Sequence, residues 1–160
     1  MKRLIVFYSL EGNTEYIADK IAQKLDADKL KLVPKTQYAT KGFKKFFWGG
    51  KAAVMAEKPE LEPYDADLSA YDDIIIGFPV WAGNITPPVR TFVSENVESL
   101  KNKDIYTFAC ESGAGAEKAF GKLGNLLGIA DFKATAIFID PKAKPSEENK
   151  LKLDVFCEEL

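Results

Sequence analysis

The stretch Leu4-Ile5-Val6-Phe7-Tyr8-Ser9-Leu10-Glu11-Gly12-Asn13-Thr14 decides the fold. Its first five residues are aliphatic or aromatic without a polar break, the pattern of a strand buried on both faces. A short polar loop with one glycine follows. The period then changes to that of a helix. Ile17, Ile21 and Leu25 stand four apart with Ala18 and Ala22 beside them, while Glu15, Asp19, Lys20 and Lys24 fall outside this stripe. A buried strand feeding an amphipathic helix opens a right-handed βαβ unit.

The same alternation continues along the chain. Ile74–Gly77, Ile105–Ala109 and Ala136–Ile139 read as further buried strands, and Lys29–Val33, before Pro34, as an edge strand. Residues 87–100 place Val89, Phe92, Val93 and Val97 on one helical face, with Pro87 and Pro88 in the first turn, where proline is tolerated. Residues 116–127 do the same with Ala116, Phe120, Leu123 and Leu127. The last stretch opens on a cap, Ser146 three before Asn149, and is expected to turn Leu151, Val155 and Phe156 inward. Strands alternating with helices predict an α/β fold: a doubly wound three-layer sandwich on a five-stranded parallel sheet of order 2-1-3-4-5, in a single domain over residues 1–160. Residues 34–71 are long for a connection. They are expected to hold a helix over 42–56 with Phe43, Phe46, Phe47 and Trp48, which suits either core packing or an aromatic lid or partner surface.

Composition narrows the chemistry. The chain has 160 residues, 22 basic and 24 acidic, with two cysteines and no histidine. Without histidine there is no Ser-His-Asp triad, no Cys-His pair and no imidazole proton shuttle. Cys110 and Cys157 have no metal-ligand spacing, so no metal site is expected, and the usage suits a reducing cytosol. The net charge of −2 argues against nucleic-acid binding, although residues 1–56 carry +6 and residues 57–160 carry −8. The apolar run at the N-terminus is too short for a signal peptide or a membrane span, so a cytoplasmic, membrane-free protein is expected. With side chains this poorly equipped for catalysis, none is assigned a catalytic role, and a cofactor is expected to supply the chemistry.

Doubly wound sheets bind ligands beyond the carboxyl ends of their strands, where the strand order reverses. Three loops fall there. After strand 1, Ser9, Leu10, Glu11, Gly12, Asn13 and Thr14 offer hydroxyl, amide and backbone donors at a helix N-terminus, which suits an anion without any Lys or Arg; a well-capped helix, with Asn13 or Thr14 as the cap, is the alternative. After strand 3, Pro79, Val80, Trp81, Ala82, Gly83 and Asn84 put an indole in a loop rich in glycine and proline, suited to stacking on a planar ring. After strand 4, Glu111, Ser112, Gly113 and Gly115 let backbone N–H groups approach a polar ring edge, with Glu111 expected as a solvated loop charge. A ligand with a phosphate at one end and a flat heteroaromatic at the other fits all three.

In these motifs, Ser9-x-x-Gly12-Asn13-Thr14, Pro79-Val80-Trp81-Ala82-Gly83 with Pro87-Pro88-Val89-Arg90, and Ser112-Gly113-Ala114-Gly115, the chain resembles the flavodoxin-like family over roughly residues 1–140. The resemblance implies non-covalently bound FMN. Ser9, Asn13, Thr14 and the backbone of Leu10 to Gly12 would hold the phosphate. Pro79, Val80, Trp81 and Gly83 would line the isoalloxazine, with Trp81 stacking, and Ser112, Gly113 and Gly115 would approach the pyrimidine edge. It further implies electron transfer between a reductase and an acceptor protein, by a monomer or weak dimer. An FMN-dependent NAD(P)H:quinone or other acceptor oxidoreductase is the alternative. The sequence departs from carrier flavodoxins in having no aromatic in the loop after strand 4 and in its mild net charge.

Overall fold

The computed structural model describes residues 1–38 and 49–160. Five parallel strands, β1 (Arg3–Phe7), β2 (Asp28–Lys31), β3 (Asp73–Pro79), β4 (Asp104–Glu111) and β5 (Thr135–Ile139), form one sheet in the order β2-β1-β3-β4-β5. Helices α1 (Asn13–Leu25), α2 (Pro87–Leu100), α3 (Ala116–Leu127) and α4 (Glu147–Glu158) cross between or follow them. This is the doubly wound sandwich and strand order that the alternating pattern predicts.

The period of two along each strand divides the core. Leu4 and Val6 of β1, Ile74, Ile76 and Phe78 of β3, and Ile105 and Ala109 of β4 face α2 and α3, where Val89, Phe92, Val93, Phe120 and Leu123 meet them. The alternate residues, Ile5, Phe7, Ile75, Phe108 and Phe138, face Ile17 and Ile21 of α1 and Leu153 and Phe156 of α4. Burial on both faces explains why β1 and β3 read as continuous apolar runs and why the one polar residue within β4, Thr107, spends its hydroxyl on the Ile76 carbonyl. β3 and β4 extend two residues beyond their apolar runs, to Pro79 and Glu111, and carry the site loops with them. The order is held at the opposite end by Arg3, whose guanidinium pairs with buried Asp73 at 3.1 Å and donates to the Leu160 carbonyl oxygen.

Gly77 shows how tightly the layers fit. It stands beside Phe108 in the β3–β4 register, and a Cβ added there would lie 2.2 Å from the Phe108 ring. That ring is itself held edge-on by Phe138 and Phe156. Gly77→Ala is expected to cost about 2 kcal/mol, as overpacking a filled core does. Urea unfolding measures it, and a midpoint equal to wild type would mean the ring is not confined.

Three sequence expectations change. The edge strand is Asp28–Lys31 rather than Lys29–Val33, because the chain then leaves the sheet: Pro34 pairs antiparallel with Leu61, and the N–H groups of Lys35 and Glu62 donate to the carbonyls of Glu60 and Val33. In α4, Leu151 and Val155 are exposed at 65% and 48%, whereas Asn149, Leu153 and Phe156 are buried. Asn149 anchors this register by exchanging two hydrogen bonds with the Ile139 backbone, which fixes the inward face three to four residues apart from there. Thirdly, of the helix expected over 42–56, residues 49–54 are helical. Phe43, Phe46, Phe47 and Trp48 lie outside the described residues.

Candidate cofactor site

A cavity of about 550 Å³ opens at the carboxyl ends of β1, β3 and β4, in the size range of small-molecule sites. Ser9, Leu10, Glu11, Asn13, Thr14, Pro79, Val80, Trp81, Ala82, Glu111, Ser112 and Gly113 of the expected set line it. Gly12, Gly83, Asn84 and Gly115 belong to the same loops but do not line it. Gly50, Cys110, Ala114 and Asp140 also line it.

At the first loop the N-cap residue is Gly12, in the left-handed region at φ 96°, which has no side chain of its own to cap α1. This corrects the expectation of an Asn13 or Thr14 cap. Asn13 turns its Oδ1 to the N–H groups of Lys142 and Ala143 instead, at 2.9 and 3.3 Å, and so ties the loop after β5 to the loop after β1. Ser9 Oγ accepts from the N–H groups of Gly12 and Glu15, both at 3.2 Å, which leaves its own O–H to donate. The Thr14 hydroxyl is buried and makes no hydrogen bond of good geometry among the described residues. A buried donor at the positive end of a helix, lining a cavity, is suited to an anion's oxygen.

Lys142 was invisible to motif reasoning. Its ammonium lies over Gly12, 2.8 Å from where a Cβ would be. Asp140 was also missed; it lines the cavity, accepts from Ser112 Oγ at 2.5 Å and pairs with Lys144 at 3.1 Å. Both follow β5, and inspecting every strand's carboxyl end rather than three would have found them. Ser112 thus directs its hydroxyl to Asp140.

The second loop is a tight turn closed by paired bonds between the Trp81 and Asn84 backbones. Ala82 and Gly83 both have positive φ, 50° and 66°, as a type I′ turn demands. The Asn84 amide donates to the Ala82 carbonyl at 2.7 Å and braces the turn from behind. The Trp81 indole is not free-standing. It meets the Tyr8 and Tyr38 rings edge-on at 5.7 and 5.1 Å, and Gly49 lies against it.

The third loop packs backbone to backbone on the second: a Cβ on Gly115 would lie 2.9 Å from Gly83 Cα. Glu111 is no solvated loop charge. Its carboxylate accepts from the Ala116 N–H at 2.9 Å and caps α3, where Gly115 supplies no side-chain cap.

Burial pushes the Cys110 thiol up to about 12, only partly offset by the Thr14 hydroxyl beside it, and burial likewise pushes the Tyr38 phenol up to about 12. Such groups favour the folded state below the unfolded pKa, near 8.5 for a thiol and 10 for tyrosine, and lose that contribution as pH rises toward the folded value. The urea midpoint should therefore hold to about pH 8.5 and fall between roughly pH 9 and 12, with Cys110→Ala removing the earliest part of the fall. A Cys110→Ala profile identical to wild type would contradict this origin.

A flavodoxin family model matches residues 2–147. The chain belongs to the flavodoxin family. None of the curated proteins matches it. Solved structures similar to it include a flavoprotein in complex with FMN from Lactobacillus acidophilus, at 22% identity and TM-score 0.69 over 88% of this chain and 94% of that one. A Bacteroides eggerthii protein assigned as a flavoprotein gives 20% and 0.73 over 97% of each chain. Oxidised flavodoxin 2 from Bacillus cereus gives 20% and 0.63, over 99% and 97%. At these identities the likenesses bear on the flavodoxin fold. Among the described residues, no helix is long and apolar enough to cross a membrane, and no cluster of metal-ligating side chains occurs.

Proposed function

We propose that this flavodoxin binds FMN non-covalently in the cavity and passes electrons between redox proteins. The observation that carries the reading is the Thr14 hydroxyl, buried beside the Cys110 thiol with no hydrogen bond of good geometry among the described residues, at the N-terminus of α1 in the wall of a cavity that also bears an indole. Ser9 and Thr14 would donate to the phosphate together with the first N–H groups of α1, which have no intrahelical partner. Lys142 adds a positive charge above Gly12. Pro79, Val80, Trp81 and Ala82 offer an apolar wall for the ring and exclude water from it, and the loop of Ser112, Gly113 and Ala114 offers backbone groups at its edge. The bound flavin supplies the electron chemistry. With no histidine in the chain, the protein has no imidazole to deliver a proton to it.

The purified protein should show flavin absorption bands and release FMN on denaturation. A colourless protein that does not take up added FMN would overturn the reading. Stopped-flow mixing with NAD(P)H separates the two roles: slow direct bleaching supports a carrier served by a reductase, and fast bleaching supports an NAD(P)H:acceptor oxidoreductase.

A further inference from the structure

Behind the 81–84 turn, outside the cavity, three cations converge. Arg90 stands on the first turn of α2, and Lys118 and Lys122 stand one turn apart on α3. Lys122 donates to Asn84 Oδ1. The Lys118 stem lies 3.3 Å from the Cβ position of Gly83. Among the described residues, none of the three is paired with a carboxylate, whereas Lys2, Lys24, Lys29, Lys31 and Lys35 each are. Arg90 Nε is buried and has no hydrogen-bond partner among the described residues. Nor have the buried hydroxyls of Thr86 and Ser94, four residues before and after Arg90 on the same stripe of the helix.

The arrangement is costly unless something neutralises it. Burial holds the Arg90 guanidinium below its ordinary range, and burial, then Lys118 and Arg90, do the same for the Lys122 ammonium. Like charges this close are held together at the expense of stability, and an unpartnered buried donor adds to that cost.

We propose that Arg90, Lys118 and Lys122 form a binding site for a phosphate group, on the reverse side of the turn that walls the cofactor cavity. Three cations focused on one place suit a compact dianion better than carboxylates spread over a protein surface, and the Arg90 fork adds directional donors. The site needs nothing from the identity of the group in the cavity, so it stands apart from the FMN reading. Two sources share its chemistry, free phosphate or diphosphate and the phosphorylated ribose of NADPH. Because Lys122 also braces Asn84, an anion that draws Lys122 away must be felt at the turn.

The test is an NMR titration of the full chain, as purified, with inorganic pyrophosphate at constant ionic strength. Saturable shifts are expected at Gly83, at the Asn84 side-chain amide and around Lys118 and Lys122, with affinity falling roughly 10-fold in Lys118→Glu, whose side chain is exposed, and in Arg90→Gln. NADPH binding about 10-fold more tightly than NADH, with the advantage lost in Lys118→Glu, assigns the phosphate to the dinucleotide. Saturation by pyrophosphate with no such preference assigns it to free phosphate. Unsaturable shifts, shifts confined to residues 9–14, or wild-type affinity in both variants would overturn the site. So would a glutamate-rich peptide that binds the cluster where pyrophosphate does not, which would assign it to an acidic protein surface.

Discussion

Thr14→Val should weaken FMN binding roughly 10- to 100-fold while leaving the cofactor-free chain as stable as wild type or more so. The two effects have opposite signs for one reason. In the free chain the hydroxyl is buried without a good hydrogen bond, and a buried orphan costs about 1–3 kcal/mol. Valine has nearly the same shape and nothing to satisfy. In the complex the hydroxyl would donate to a phosphate oxygen, and a hydrogen bond to a charged group is worth about 1.5–3 kcal/mol. Riboflavin, which lacks the phosphate, should bind the variant and wild type alike. Fluorescence titration of the apoprotein with both flavins reads the split, and urea unfolding reads the stability. An equal loss for FMN and riboflavin would mean that Thr14 shapes the pocket without touching a phosphate.

Gly115→Ala should destabilise the chain by about 3 kcal/mol. Two costs add. Gly115 has φ of 117°, a conformation that alanine adopts only at a penalty of roughly 1–2 kcal/mol. The new Cβ would also lie 2.9 Å from Gly83 Cα, which is backbone and cannot rotate away. Separating the two loops moves Gly83 within the turn that carries Trp81, so flavin affinity should fall with stability. Gly113→Ala is the control. Two residues away in the same loop, its Cβ would meet open space, and it should change stability by no more than about 0.5 kcal/mol. Comparable losses in both variants would show that the loop resists any added carbon, and not that Gly115 meets Gly83.

The fold was legible because burial on both faces leaves a plain mark. β1 and β3 carry no polar residue in the middle and β4 only Thr107, whose hydroxyl donates to the Ile76 carbonyl, so they read as apolar runs, and parallel strands with intervening helices admit few orders. β2 was legible in place but not in extent, because what ends it is Pro34 pairing with Leu61, residues distant in sequence. The inward face of α4 was misread for a related reason. Leu151 and Val155 are apolar, but Asn149 binding the Ile139 backbone sets the helix's rotation, and a polar anchor is invisible to a count of apolar spacing.

At the site, the loops were legible and their internal bonding was not. Serine, glycine, asparagine and threonine before a helix spell an anion cradle whatever their partners. That Asn13 serves the loop after β5, that Glu111 caps α3 and that Ser112 answers to Asp140 depend on contacts across 129, 5 and 28 positions of chain.

By itself, the sequence determined the alternation of strands and helices, the place where the loops gather, and a chemistry that does without histidine. Periodicity and residue type are local properties and survive in one dimension. Only the tertiary structure decided which donors remain free once the loops have bonded to one another: Thr14 is left over, Asn13 is taken, and Lys142 and Asp140 come in from the far end of the chain. A hydrogen bond uses up a donor wherever its partner lies in sequence, so the vacancy that a ligand fills appears only after the fold has closed.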